Sequence, residues 1–424
     1  MNVAIVSENL AYPPHGGNRI RTLNLMLRLA RRHQIAYLCR APEQRELADE
    51  ARRFFTEHNI RLILVEDGVV PRKSGPLFYA RLAANLLSPV PYAVALHNSL
   101  AMRAAIRHHA QTEAVDLWQF EWLPYVDALP PGHAPAIMVA HNVETLIWQR
   151  YAEMESHPLK RWYLRRQHRK FQRFEGRIFR LATRVVTVSR EDAILVQEQF
   201  GVPHVAVVEN GIDKNYFAAA TGTREPHTIL FLGSLDWRPN LDAAALLLDQ
   251  IFPEVRRQVP TAQLCIVGRN PSQSLIERVR QSPQVQLHAD VNDVRPYLAQ
   301  SAVMAVPLRI GGGSRLKILE ALACGLPVVS TAVGAEGLVL APGRHLVVVE
   351  STEQMAESLV QCLCDPARAQ ALAEQGRQLV LEHYDWDPLA DQLERVWQEC
   401  RQCNSPGVVG SAGHEAGSQV MSKP

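Results

Sequence analysis

No apolar run in this 424-residue chain approaches the roughly 18 residues needed to span a bilayer, so any contact with a membrane is expected to be peripheral. Cysteine is scarce: seven residues, an odd number without framework spacing, exclude a disulfide-stapled fold. Net charge is small, since 45 Lys and Arg face 43 Asp and Glu, and a net +2 gives nucleic acid no electrostatic reason to be the partner. Neither G-x-G-x-x-G nor G-x-x-x-x-G-K-S/T occurs, which removes the dinucleotide fingerprint and the Walker loop. No signal peptide precedes the first strand-like run at residues 3–7, so the expected compartment is reducing cytoplasm.

What is present is ordinary globular composition, 47% hydrophobic and 21% charged, in a chain too long for one core. The small net charge hides an asymmetry. Residues 1–204 hold 27 basic and 19 acidic side chains, and the remainder 18 and 24, so the halves face different partners or each other. Short β-branched runs alternate with helical patterns, the signature of parallel sheets buried on both faces in an α/β fold. Seven runs fall at 3–7, 35–38, 60–65, 115–120, 136–140, 185–188 and 205–208. Six more fall at 228–232, 264–267, 285–287, 303–306, 328–330 and 346–349. Two Rossmann-like domains are therefore expected, over 1–210 and 211–385, joined by a linker at about 211–226 rich in Gly, Pro, Thr and charge. An amphipathic stretch over 386–403 reads as a terminal helix returning to the first domain, and 404–424 as a disordered tail.

The most informative segment is residues 307–336, PLRIGGGSRLKILEALACGLPVVSTAVGAE. A strand end runs into Gly311, Gly312 and Gly313, with Ser314 as the expected N-cap of a helix stopping at Cys-Gly-Leu-Pro. Glycines feeding a helix N-terminus form an anion site, because backbone N–H groups approach closely and the macrodipole favours negative charge. Arg315 and Lys317 add full positive charge at an end where cations disfavour the helix, which makes sense if a diphosphate neutralises them. Glu320, within two turns, could accept both hydroxyls of a ribose diol. The plainer alternative is a glycine turn with a solvated first turn and Glu320 in a salt bridge.

This segment, with the domain order, resembles the retaining glycosyltransferases of family 4, which hold a nucleotide sugar between two facing Rossmann domains (the GT-B fold). The matching parts are Pro13-Pro14-His15-Gly16-Gly17, His141 after a strand, Asn210-Gly211-Ile212-Asp213, the run from Leu232 through Arg238 to Asn240, and the helix carrying Glu320. Together they extend to about residue 400, and similar enzymes build bacterial cell-surface polysaccharides. The resemblance implies a metal-independent transferase without a cofactor, moving a hexose from a UDP- or GDP-linked donor to a glycan or lipid-linked glycan with retention. Arg238 would then reach the diphosphate, and Gly16 and Gly17 would line the acceptor side. His141 would donate to sugar or phosphate or act as acid or base, with Asn142 as N-cap of the next helix. One departure concerns the family's pair of glutamates eight positions apart: Gly312 stands where the first would be.

Two other readings remain: a nucleotide-sugar epimerase on the same fold, and a two-lobed solute-binding protein without chemistry, which the lack of a secretion signal disfavours. Asp385-Trp386-Asp387 fits a D-x-D metal pattern but opens a helix, and Cys362-x-Cys364 and Cys400-x-x-Cys403 lie in helical sequence, so no metal is expected. Residues 160–184 carry Lys160, Arg161, Arg165, Arg166, Arg169, Lys170, Arg173, Arg177, Arg180 and Arg184 against the single acid Glu175. With Trp162 and Tyr163 interleaved, this stretch reads either as a face for anionic lipid, the reading favoured here, or as the solvated back of a helix, and nucleic acid fits it less well.

Overall fold

The computed structural model describes residues 1–14, 16–67, 75–218, 220, 222–311 and 315–402. Gly312, Gly313, Ser314, Cys403 and the tail at 404–424 lie outside the described residues.

The first sheet is built from β1 (Asn2–Val6), β2 (Gln34–Arg40), β3 (Ile60–Val65), β4 (Leu117–Phe120), β5 (Ala136–Ala140), β6 (Arg184–Thr187) and β7 (Val205–Val207). All pairings are parallel, in the order β3-β2-β1-β4-β5-β6-β7. The second contains β8 (Thr228–Leu232), β9 (Gln263–Gly268), β10 (Val285–Ala289), β11 (Val303–Val306), β12 (Val328–Thr331) and β13 (Val347–Val349), also parallel, in the order β10-β9-β8-β11-β12-β13. Central strands are buried along their whole length, as β-branched runs covered by helices on both faces require. Thus the fold is α/β with two Rossmann-like domains in the GT-B manner. The expected run at 115–120 shortens to begin at Leu117; just before it, Asp116 is held to Asn2 twice, its N–H donating to the Asn2 carbonyl and its carboxylate accepting the Asn2 N–H, each at 2.8 Å.

Each sheet reverses its winding once, between β1 and β4 in the first domain and between β8 and β11 in the second. In open parallel sheets the crevice outside the carboxyl ends of the strands at such a switch point is where ligands bind. The loops that leave these four strands carry the Gly16-Gly17 pair, Glu121, Arg238 and the glycine run, so topology alone brings the chemically interesting segments to two edges.

The chain crosses between domains at 208–227, where a short helix Lys214–Ala218 interrupts the expected linker. It crosses again near Tyr384, whose carbonyl accepts the Ile212 N–H at 2.7 Å. The helix Trp386–Gln402 packs against the helix Gly17–Leu29. Its acids meet first-domain cations: Asp387 with Arg28 at 2.5 Å, Asp391 and Glu394 each with Arg32 at 2.8 Å, and Glu399 with Arg184 at 2.6 Å. The opposite charges of the two halves are spent partly on this docking.

Candidate functional site

In the second domain, the helix Leu316–Ala323 starts directly after the glycine run, with Arg315 in the N-cap position and no side-chain cap. Arg315 is 6% exposed, and burial draws its guanidinium down to about 10. Burial, reinforced by the Arg315 charge, draws the Lys317 ammonium down to about 7. Lys317 Nζ donates to Asn240 Oδ1 at 2.9 Å, and the Asn240 amide in turn donates to the Ser234 carbonyl at 2.9 Å, so the loop after β8 aims the ammonium. Burial pushes the Glu320 carboxyl up to about 7, with Lys317 pulling it back. Gly311 has φ +154, and a Cβ there would collide with the Arg315 guanidinium. Two cations crowded together at a helix N-terminus form an electrostatic arrangement that an anion relieves.

Arg238 opens the helix Arg238–Leu246 but turns toward the first domain, stacking 4.7 Å over the Tyr151 ring and lying 3.4 Å from Glu155. The sequence alone missed the residues that join the domains here. Arg150 donates to both carboxylate oxygens of Glu336 at 2.7 Å and to the Gly311 carbonyl. Ile147 and Tyr151 pack with Ile310 from the strand-end loop opposite. Arg150, Ile147 and Tyr151 lie on the helix Glu144–Met154, the one that follows His141, and Glu155 is its C-cap residue. Only the strand-to-helix position of His141 hinted at them.

That helix corrects one expectation. Its N-cap residue is Val143, not Asn142, and the cap comes from elsewhere: the Glu175 carboxylate accepts the Glu144 and Thr145 N–H groups, each at 2.8 Å. Glu175 is fully buried, and burial pushes its carboxyl up to about 8. The one acid among the ten cations of 160–184 is therefore spent inside. On the helix Pro158–Leu181, Lys160, Arg165, Arg169 and Arg173 are exposed, beside Leu159 and Trp162, which are 72% and 56% exposed. Lys170 is buried against the Asn85 carbonyl, so the basic stretch divides into an inner and an outer face.

On the first-domain edge, Gly16 precedes the helix Gly17–Leu29 with φ +106, and a Cβ there would sit 3.5 Å from Arg269 of the second domain. A Cβ at Gly17 would sit 3.3 Å from Leu316, the first residue of the helix that carries Lys317. At the glycine pair the two edges come within van der Waals reach of each other. His141 follows β5, and its Nε2 lies 2.7 Å from the Glu121 carboxylate, which follows the neighbouring β4. Burial pushes the Glu121 carboxyl up, but His141, the Arg21 charge and the Gln119 amide outweigh it and hold the carboxyl below its ordinary range. Sequence reasoning missed Glu121; its place one residue past a buried strand, in step with His141, was the available signal. Arg21 is 1% exposed and donates to the Glu209 carbonyl and to Asn210, tying the helix Gly17–Leu29 to the linker instead of entering the cleft.

Asp385 pairs with Lys214 and Asp387 with Arg28, and Cys362 is buried in the second domain's core. Among the described residues no three His, Cys, Asp or Glu gather as around a metal ion, and no helix is long and apolar enough to cross a membrane.

Residues 15–216 match the family model Glycosyltransferase Family 4, and residues 226–365 match Glycosyl transferases group 1. A relative is the GDP-mannose-dependent monoacylated alpha-(1-6)-phosphatidylinositol monomannoside mannosyltransferase of Corynebacterium glutamicum, 29% identical over 208 residues, covering 45% of this chain and 55% of that protein. The chain spans about half the length of the curated relatives it matches. Among solved structures, Anabaena HepE in complex with UDP and glucose shares the fold at TM-score 0.66 and 13% identity, covering 94% of this chain and 100% of that one. Sucrose-phosphate synthase of Thermosynechococcus elongatus does so at TM-score 0.68 and 18% identity, covering 95% and 99%.

Proposed function

The chain belongs to the family 4 glycosyltransferases of GT-B fold, and from that premise we propose that it moves a hexose from a UDP- or GDP-linked donor to a hydroxyl of a glycan or lipid-linked glycan, with retention and without a metal. The observation that carries the reading is the pair of cations, Arg315 and Lys317, at the start of a helix on the second domain's switch point, with Leu316 between them set against Gly17 at the first domain's switch point. As the sugar–phosphate bond breaks, negative charge grows on the departing diphosphate. Arg315, Lys317 and the helix N-terminus meet that charge where a metal ion would otherwise serve. Glu320 holds the ribose and Arg238 lies ready to swing from Glu155 to the diphosphate. His141 meets the sugar from the other edge, while the acceptor enters beside Gly16 and Gly17. No protein nucleophile is needed if the acceptor hydroxyl attacks on the face the diphosphate leaves and that diphosphate takes the proton.

The relative that uses GDP-mannose acts on a phosphatidylinositol-based acceptor, which supports a lipid-linked substrate here. The exposed row of Trp162, Arg165, Arg169 and Arg173 supports docking at the anionic cytoplasmic face of a membrane. Thermal-shift screening with UDP, GDP, ADP and their sugars tests the donor class: at 100 times its Kd a ligand adds about 2.7 kcal/mol. Arg315→Ala and Lys317→Ala should each cut transfer by about 100-fold or more. Retention of transfer within twofold in both variants would place the site elsewhere, and conversion of the donor with no acceptor present would favour the epimerase.

A further inference from the structure

A row of buried side chains links the terminal helix to His141, and its bonds from Trp397 as far as Glu121 run in one direction. The Trp397 indole N–H, a donor without acceptor capacity, donates to Gln119 Oε1 at 2.7 Å. That contact commits the Gln119 amide: its NH2 must face the other way, and it donates to Glu121 Oε1 at 2.5 Å. The Thr22 hydroxyl donates to Glu121 Oε2 at 3.0 Å, and His141 Nε2 lies 2.7 Å from the same oxygen. Trp397 is fully buried, Gln119, Glu121 and Thr22 are 4%, 6% and 5% exposed, and the bonds cross from the terminal helix through β4 to the end of β5.

We propose that Glu121 is the positioning residue of His141, holding its proton on Nε2, and that Trp397 enforces this through Gln119. A carboxylate already receiving an amide N–H and a hydroxyl can only accept, so the imidazole must donate from Nε2. Its Nδ1 is then the acceptor of the neutral ring, and the ring plane is set by the strand end. The cleft-side chemistry of His141 is thereby decided by a tryptophan on the helix that follows the second crossover. The inference rests on the reading of His141 as a group that meets the donor, but the tautomer itself is a property of the protein without substrate.

The substitution Glu121→Gln reads the direction of the row. With Trp397 in place, the Gln119 NH2 demands an oxygen, so the new amide must turn its own NH2 to His141, and the proton moves to Nδ1. In the double variant Glu121→Gln, Trp397→Phe, the Gln119 amide is free to reverse, the new amide can follow, and the Nε2–H form returns. Long-range 1H–15N correlation of 15N-histidine protein at pH 8.5, with His141 assigned by its loss in His141→Gln, reports which nitrogen is protonated. Expected are Nε2–H in the native chain, Nδ1–H in E121Q and recovery of Nε2–H in the double variant. In parallel, kcat in E121Q should fall roughly 10- to 100-fold with donor KM within twofold, and recover in part in the double variant. Native protein with Nδ1–H, or E121Q without a change of tautomer, overturns the proposal; failure of the double variant to recover Nε2–H overturns the role of Trp397. If the native chain transfers no sugar from any donor yet shows the expected tautomers, the activity reading fails and the positioning of His141 stands.

Discussion

Replacing Lys317 with methionine should make the protein more stable and nearly inactive at once. Burial beside Arg315 lowers the ammonium from its ordinary 10.5 to about 7, a shift worth on the order of 4 kcal/mol against the fold at neutral pH as an upper bound. Loss of the bond to Asn240 returns about 1 kcal/mol, and the Glu320 carboxyl, which Lys317 holds down, returns more. A net gain of about 1–2 kcal/mol in Lys317→Met remains, readable by calorimetry as a rise of a few degrees in melting temperature. The gain has a pH signature. Between about 7 and 10.5 the unfolded chain binds a proton at this lysine that the folded chain does not, so native stability climbs with pH across that window. The advantage of K317M is therefore full at pH 6.5 and small at pH 9.5. Transfer from the nucleotide sugar should fall 100- to 1,000-fold, the loss of about 3–4 kcal/mol of transition-state stabilisation. A K317M protein that melts below the native chain at pH 6.5, or transfers within twofold of it, refutes the reasoning.

Gly311→Ala drives a methyl group into the Arg315 guanidinium, so donor affinity by calorimetric titration should drop about tenfold or more; unchanged affinity would remove Arg315 from the donor site. Arg150→Gln breaks the two bonds to Glu336 that join the domains and should raise donor KM several-fold while widening the molecule in small-angle scattering, and identical scattering would contradict it. Reversing Arg165, Arg169 and Arg173 to glutamate should abolish sedimentation with vesicles containing phosphatidylglycerol, at about 1 kcal/mol per cation lost, while sparing transfer to a water-soluble acceptor. Equal sedimentation would show that this face does not meet lipid.

The strands were legible because a buried parallel strand is a compact β-branched run, and residues 136–140 or 303–306 have no other way to be read. The helix that carries Lys317 and Glu320 was legible for a local reason too, since a glycine run feeding a helix is a contiguous signal. Glu121 was not, because what matters is that the pairing of β4 with β5, Phe120 opposite Met138, brings its carboxylate within reach of His141, and that pairing joins segments far apart in the chain. Arg150 and Glu336 belong to different domains, and nothing in either neighbourhood announces the other. The Glu175 cap defeated local reasoning in the same way: Asn142 had the right chemistry in the right place, but a carboxylate from the next helix was better aimed. Acidic patterning of the terminal helix was visible only as a net charge, until Arg28, Arg32 and Arg184 supplied its partners.

A crystal structure of the chain soaked with UDP and with GDP addresses the main claim without intermediaries. The bound nucleotide should lay its diphosphate at the start of the helix Leu316–Ala323, within hydrogen-bond reach of Arg315 and Lys317, with its ribose hydroxyls at Glu320. A nucleotide seated instead on the first domain's strand ends, leaving those three side chains without a ligand contact, would contradict it.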